Sequence, residues 1–177
     1  MALPQMRRDV LIRIGLLTLV AGFLAAFLWN ADQKAPTAGR PMPDFSLPAD
    51  KGGHVDLGDY KGKILVLNFW ATWCQQCVEE LPSLNRFAKT FQGRGVEVLA
   101  VSVDEDDKLY KNFLTEHKLD MPTARDPNKR TSINYGTFKY PESYIADKEG
   151  RLLRKIVGPA DWMDPSMVGQ FEEWLKQ

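Results

Sequence analysis

The chain of 177 residues contains only two cysteines, Cys74 and Cys77. A small secreted domain held together by disulfides would have more cysteines, spread along its length. A bond between these two would close a very small ring and remove little chain entropy, which argues against a structural staple. The cysteine count therefore excludes a disulfide scaffold and points to chemistry at the pair.

An excess of one charge is also absent, because 23 basic residues face 23 acidic ones. Without a basic block, nucleic acid is not expected as the main partner. Only two histidines occur, His54 and His117, and both lie far from the cysteines in sequence. Because structural zinc takes four ligands, a zinc site would need a second chain. No metal or cofactor is predicted.

Residues 10–29 form a long apolar run that contains a single charge. About 20 apolar residues suffice to cross a bilayer core. Arginines lie at or before its start, so the positive-inside rule predicts a cytoplasmic segment 1–9, a membrane anchor over 10–29 and the rest of the chain outside. A cleaved signal peptide is the alternative, but Trp29 and Asn30 stand where the small residues of a cleavage site are expected.

Residues 30–43 are rich in Ala, Pro and polar residues, which predicts an extended linker before a folded domain over 44–177. Alternating strand and helix patterns predict an α/β domain with helices packed on a sheet that includes parallel strands. The predicted elements are a hairpin over 45–57, a strand over 63–70, a helix over 77–91, a strand over 96–103, a helix capped by the acids 104–107, a short helix over 128–135, strands over 143–146 and 152–157, and a final helix from Asp164-Pro165.

The two cysteines lie where a buried strand turns into a helix. Free N–H groups at a helix start, together with the helix dipole, stabilise a thiolate at Cys74. Thiolates are the species that attack disulfides, and motifs of this kind lower the cysteine pKa to between about 3.5 and 7.5. Cys77 lies one turn later and is expected to face the core and to resolve the mixed disulfide formed by Cys74.

The stretch Asn68–Cys77, NFWATWCQQC, resembles the active-site stretch of the thioredoxin superfamily. Cys77–Pro82, CVEELP, is similar to the membrane-anchored branch of the TlpA, ResA and CcmG type, and the resemblance covers residues 41–177. It implies a thioredoxin-like fold, with a central mixed sheet flanked by helices, an N-terminal β-hairpin and a central βα insert.

The resemblance also implies an extracytoplasmic thiol–disulfide oxidoreductase that reduces disulfides of envelope proteins, with apocytochrome c as one candidate substrate. Electrons are then expected from a transmembrane donor of the CcdA or DsbD type. The protein is expected in the inner (cytoplasmic) membrane, with a single span and with its catalytic domain in the periplasm or at the cell exterior.

Two further catalytic residues follow from the resemblance. The family places a cis-proline loop beside the active-site sulfur, and Tyr140-Pro141 matches it; from the residues alone, a trans proline at the start of a strand is the alternative. Glu80 matches a family glutamate and is expected to assist proton transfer at Cys77. Its alternative is a solvated acid that favours the helix dipole.

Substrate contacts are expected from Trp73, Gln75, Gln76, Tyr140 and Glu142. The step Pro141-Glu142 resembles the CcmG type, which implies that Glu142 contacts a partner or tunes the thiols; a surface strand residue is the alternative. Gln76 stands where the family usually has proline, which restores an N–H near the Cys74 sulfur. This donor favours the thiolate and predicts a protein that is less reducing than thioredoxin.

A copper-delivery protein on the same fold is the main alternative function. Such proteins tend to space their cysteines one residue wider and to add a placed histidine. A peroxidase of the peroxiredoxin kind is disfavoured, because Thr72 lies too close to Cys74 and the accompanying proline is missing.

Overall fold

The computed structural model describes residues 10, 13–25 and 35–177. Residues 13–25 are helical and are named α1. The chain divides into two compact units, one up to Ala35 and one over Pro36–Gln177. The second unit contains the predicted domain.

The predicted N-terminal anchor is covered only in part. Segment 1–9 and parts of the predicted span 10–29 and linker 30–43 lie outside the described residues. Among the residues that are described, no helix combines the length and the apolarity needed to cross a membrane. The anchor therefore stays a prediction.

A five-stranded mixed sheet organises the domain. The strands found in the described residues are β1 (Ser46–Pro48), β2 (His54–Asp56), β3 (Ile64–Trp70), β4 (Val96–Ser102), β5 (Thr123–Arg125), β6 (Glu142–Ala146) and β7 (Leu152–Val157). The sheet order is β5-β4-β3-β6-β7, in which β3, β4 and β5 are parallel and β6 and β7 run antiparallel to their neighbours. Every residue of β3 is buried, as expected for a strand covered on both faces.

Helices cover the sheet and connect its strands. They are a 3-10 helix (Leu57–Tyr60), α2 (Gln75–Phe91), α3 (Asp107–His117), α4 (Arg130–Asn134) and α5 (Pro165–Leu175). Helix α2 buries Cys77, Leu84 and Phe91 at the spacing of an amphipathic helix. It begins two residues before the predicted start because Cys74 is its N-cap. The predicted α/β arrangement with an N-terminal hairpin is confirmed.

The N-cap of α3 is Asp106, one of the four acids predicted to cap this helix. Its carboxylate accepts hydrogen bonds from the N–H groups of Lys108 at 2.8 Å and Leu109 at 3.2 Å. Asp104 does not cap the helix; it is buried and contacts the connection between β3 and α2 instead.

The hairpin of β1 and β2 contacts the edge strand β5. Its turn contains Gly52 and Gly53 at φ values of 90° and 74°, where a side chain would be strained. A bridge between Ala49 and Ala124 joins the hairpin to β5. This contact covers part of an edge that would otherwise expose unpaired backbone groups.

Residues 39–43, called the strap below, lie against the start of β7. The N–H of Gly39 donates to the carbonyl of Leu152 at 2.8 Å, and Met42 is buried. The hydroxyl of Tyr135 donates to the carbonyl of the last strap residue at 2.6 Å. The predicted linker is therefore too long at its C-terminal end, because the strap belongs to the folded domain.

Aromatic rings join α5 to α2. The ring centroid of Phe87 lies 4.8 Å from that of Phe171 and 5.5 Å from that of Trp162. All three side chains are fully buried, and burial of such a side chain contributes about 1.5–3 kcal/mol. The cluster holds Trp162, which lies in the segment before α5, against α2.

Candidate active site

Cys74 and Cys77 are joined by a disulfide at the start of α2. Strand β3 ends at Trp70, and a short connection leads to Cys74, the N-cap. The backbone N–H of Cys77 donates to the sulfur of Cys74 at 3.2 Å. Because the helix dipole and the free N–H groups of the first turn face this sulfur, they stabilise a thiolate at Cys74 once the disulfide is reduced.

The two sulfurs differ in access. Cys74 keeps 9% of its surface exposed, whereas Cys77 keeps 1%. Cys74 is therefore the sulfur that an incoming disulfide can reach. Cys77 faces the core, as predicted, where an incoming disulfide cannot reach it.

Glu80 lies one turn after Cys77, on the same side of α2. Its side chain is 5% exposed; Oε1 accepts a hydrogen bond from Nε1 of Trp162, and Oε2 has no hydrogen-bond partner in the described part of the chain. Burial raises the pKa of Glu80 from 4.5 to about 7, although the hydrogen bond from Trp162 opposes this rise. The alternative of a solvated acid is therefore wrong.

Asn68 is a neutral residue that is buried on β3, and its Nδ2 donates to Oγ of Ser143 at 2.9 Å. Neither of these side chains exchanges a proton near neutral pH.

The peptide bond between Tyr140 and Pro141 is cis, as predicted. The ring of Tyr140 meets that of Trp73 edge to face, with centroids 5.8 Å apart. The carbonyl of Pro141 accepts a hydrogen bond from the N–H of Gly158 at 2.9 Å, which fixes the loop to the end of β7. The cis-proline loop therefore lies beside the connection that carries Cys74, and Trp73, 64% exposed, provides an aromatic surface there.

Gln75 and Gln76 are exposed in the first turn of α2. The amide of Gln75 donates to a carboxylate oxygen of Glu79 at 3.0 Å. Both glutamines lie at the surface, between Cys74 and Cys77 in the chain.

Glu142 does not reach the surface. It is completely buried, with Oε1 2.9 Å from Nζ of Lys155 and Oε2 accepting a hydrogen bond from the hydroxyl of Tyr144 at 3.2 Å. Burial lowers the pKa of Lys155, but its interactions with Glu142 and Tyr144 outweigh burial, so its pKa is raised. The predicted contact of Glu142 with a substrate is wrong, because the carboxylate is enclosed and paired; the surface alternative is wrong for the same reason.

Two contacts of the site were not predicted. The carboxylate of Asp104 accepts hydrogen bonds from the N–H of Thr72 at 3.0 Å and from its hydroxyl at 2.8 Å. A sequence signal existed, because the carboxyl ends of the adjacent parallel strands β3 and β4 meet at one edge of the sheet. Trp162 binds Glu80 across a separation of 82 residues, and no local pattern reveals that contact.

Neither histidine lies beside the cysteines. His54 is in β2, and His117 stacks on Phe113 in α3 with ring centroids 3.9 Å apart. Within the described residues, no group of three or more His, Cys, Asp or Glu side chains could hold a metal ion. The copper-delivery alternative gains no support.

Comparison with known proteins assigns the family. Residues 38–155 match the model of the AhpC/TSA family. The chain belongs to the AhpC/TSA family. A curated relative, the thiol-disulfide oxidoreductase ResA of Bacillus thuringiensis (strain Al Hakam), is 33% identical over 155 residues, which cover 86% of this chain and 90% of the relative.

Two further proteins are similar to this chain. The thiol:disulfide interchange protein DsbE of Pseudomonas aeruginosa is 32% identical over 160 residues, which cover 88% of this chain and 87% of the relative. A crystal structure from Chlorobium tepidum, described as a thiol:disulfide interchange protein DsbE, is 30% identical with a TM-score of 0.74, and the match covers 80% of this chain and 99% of that one. With its disulfide at the start of α2, this AhpC/TSA member is a thiol–disulfide oxidoreductase with a thioredoxin-like fold.

Proposed function

We propose that this oxidoreductase works outside the cytoplasm as a reductant of disulfides in envelope proteins, with apocytochrome c among its candidate substrates. The observation that carries the proposal is the pairing of an accessible Cys74 with an inaccessible Cys77 in the first turn of α2. This arrangement suits a two-step exchange in which one sulfur meets the substrate and the other releases it.

The reduced protein starts the exchange. The Cys74 thiolate attacks one sulfur of the substrate disulfide, a mixed disulfide forms, and the second substrate sulfur leaves as a thiolate that takes up a proton. Cys77, once deprotonated, attacks the sulfur of Cys74, and the substrate departs as a dithiol. Two electrons have passed to the substrate, and the protein is left with the disulfide seen in this structure. A transmembrane donor of the CcdA or DsbD type would restore the dithiol.

Glu80 is the proposed proton acceptor for Cys77. It lies one turn away on the same side of α2, and its pKa of about 7 allows it to take up or release a proton near neutral pH. Its buried position keeps that proton exchange close to the buried sulfur rather than in bulk solvent.

The proposed substrate surface surrounds Cys74. Trp73 and Tyr140 offer aromatic contacts, and Gln75 and Gln76 offer exposed amides. The ring of Tyr140 lies against that of Trp73, so the backbone of this loop is the proposed partner for an extended substrate chain.

The proposed location is the inner membrane, with the domain on its outer side. The apolar run over 10–29 and the arginines at its start support this topology. Membrane fractionation and protease access in spheroplasts test it, and a domain that is protected in intact spheroplasts would contradict the topology.

The reduction potential of the Cys74–Cys77 pair tests the direction of electron flow. The domain from Pro36 onward is equilibrated with glutathione buffers and then offered an apocytochrome c peptide that carries a disulfide. A potential closer to about −270 mV than to about −120 mV, with reduction of the peptide, supports a reductant. A value near about −120 mV, with oxidation of the dithiol peptide, contradicts it.

Three variants complete the same experiment. Cys77→Ser is expected to stall as a mixed disulfide, and Cys74→Ser is expected not to react. Glu80→Gln is expected to shift the pH dependence of substrate release, whereas the matched control Glu79→Gln, an exposed acid one residue earlier, is not. Identical pH profiles for wild type and Glu80→Gln would remove Glu80 from the mechanism.

A further inference from the structure

A buried carboxylate lies beside the redox connection without touching the sulfurs. Asp104 follows β4 and is 3% exposed. It accepts hydrogen bonds from the N–H and the hydroxyl of Thr72, at 3.0 and 2.8 Å, and from the hydroxyl of Ser102 at 2.6 Å. Burial of a carboxylate is costly unless hydrogen bonds compensate it, and two of these three bonds come from a residue just before Cys74.

The parallel pairing of β3 and β4 brings Thr72 and Asp104 together. Trp70 at the end of β3 pairs with Ser102 at the end of β4, and the N–H of Val103 donates to the carbonyl of Trp70 at 2.9 Å. Thr72 and Asp104 each lie two residues beyond that last pair, so the contact extends the parallel pairing into the connection that leads to Cys74. We call this contact the Asp104–Thr72 clamp.

Arg125 connects Asp104, the sheet-side residue of the clamp, to neighbouring elements. The guanidinium of Arg125, on β5, donates to the backbone carbonyl of Asp104 at 2.9 Å and pairs with Asp107 at 2.9 Å. Asp104 is thus connected through Arg125 to β5 and to the start of α3. The clamp joins the redox connection to these elements.

We propose that Asp104 is a positioning residue that holds Cys74 at the start of α2 in the reduced protein. In the oxidised form the bond to Cys77 already fixes the Cys74 sulfur. Reduction removes that bond, and under this proposal the clamp then keeps the sulfur near the N–H of Cys77, a contact of 3.2 Å in the oxidised form. The clamp therefore stabilises the dithiol form more than the disulfide form, and it favours the Cys74 thiolate.

The test compares Thr72→Val with Thr72→Ser. Valine has a similar shape and keeps the backbone N–H donor, but its side chain cannot donate to the carboxylate, whereas serine keeps the hydroxyl. The readouts are the equilibrium constant with glutathione and the pH titration of the Cys74 thiolate by ultraviolet absorbance. Thr72→Val is expected to shift the equilibrium toward the disulfide by about two- to tenfold, as for loss of one hydrogen bond, and to raise the pKa of Cys74. Thr72→Ser is expected to stay close to wild type.

Ser102→Ala controls for a merely structural role, because Ser102 donates to the same carboxylate from β4 and not from the redox connection. It is expected to lower the free energy of unfolding and to leave the glutathione equilibrium within twofold of wild type. If Thr72→Val changes stability alone, as Ser102→Ala does, the proposal is overturned. It is also overturned if Asp104→Asn lowers the pKa of Cys74, because the carboxylate would then act through its charge.

The proposal rests on the proposed function only through the role of Cys74 as the attacking sulfur. Failure of the two can be told apart. A wild-type potential near that of an oxidant overturns the reductant assignment and leaves the clamp standing, since the clamp is judged from differences between variants.

Discussion

Glu80 gives the domain a pH-dependent stability that can be traced to one side chain. Burial raises its pKa to about 7 from the ordinary 4.5. Between about pH 5 and about pH 7 the native carboxyl keeps a proton that the unfolded chain has lost, so the native state binds more protons. The free energy of unfolding therefore falls as the pH rises through this window, and it levels off above the native pKa.

Glu80→Gln is expected to remove this slope. From about pH 5 to about pH 8 the unfolding free energy of the variant should rise relative to wild type by on the order of 2 kcal/mol. Urea unfolding of the oxidised domain at the two pH values measures the change. Glu79→Gln, at an exposed neighbouring position, should follow wild type at both. Parallel pH dependences for wild type and Glu80→Gln would show that Glu80 is ionised throughout.

Gln76 is expected to make the reduction potential less negative than that of thioredoxin. Gln76→Pro removes a backbone N–H from the first turn of α2 and should lower the potential by roughly 30 mV, a tenfold change in the equilibrium constant. Gln76→Ala keeps the N–H and serves as the control in the same glutathione titration. A potential that is unchanged or raised in Gln76→Pro would count against this account.

Site residues that lie close together in the sequence could be predicted from their spacing. Cys74, Cys77 and Glu80 follow one another at helical spacing, and the cis bond at Pro141 follows from the family resemblance. The burial of Glu142 was not predictable, because it depends on Lys155, a residue on the neighbouring strand. Local patterns show which residues a site contains, and long-range packing decides which of them remain accessible.

At the scale of elements, length and periodicity decided what could be predicted. The long strand β3 and the helix α2 have clear buried patterns, and both were predicted with small boundary errors. Strand β5 and the 3-10 helix have three and four residues, too few to show a period. The choice of Asp106 as the cap of α3 among four neighbouring acids depends on the path of the preceding loop, which the sequence does not encode locally.

The contact between the segment before α5 and helix α2 is expected to tune Glu80. Trp162→Phe keeps an aromatic ring against Phe87 but removes the Nε1–H donor. Since that hydrogen bond lowers the pKa of Glu80 against the effect of burial, its loss should raise the pKa further above about 7. Carbon NMR of the Glu80 carboxyl measures the titration. Trp174→Phe is the matched control, because that ring packs on Phe171 in α5.

At the scale of the whole molecule, the strap sets where the stable domain begins. A chain that starts at Asp44 loses the buried Met42 and the hydrogen bonds of residues 39–43 to β7 and Tyr135. Its free energy of unfolding should be lower by about 2–5 kcal/mol than that of a chain starting at Pro36. Urea unfolding compares the two. A chain starting at Ala38 retains the strap and should match the longer one; equal stability of all three would show that the strap adds nothing.

The position of the strap also determines which end of the domain faces a support when the domain is immobilised through its N-terminus. The strap forms hydrogen bonds with the start of β7, where Leu152 pairs with Ala146 of β6. Ala146 in turn pairs with Leu65 at the start of β3. The disulfide follows the opposite end of β3. A domain immobilised on a bead or an electrode through a tag before Pro36 would therefore present its sulfurs away from the support, free to capture a partner as a mixed disulfide.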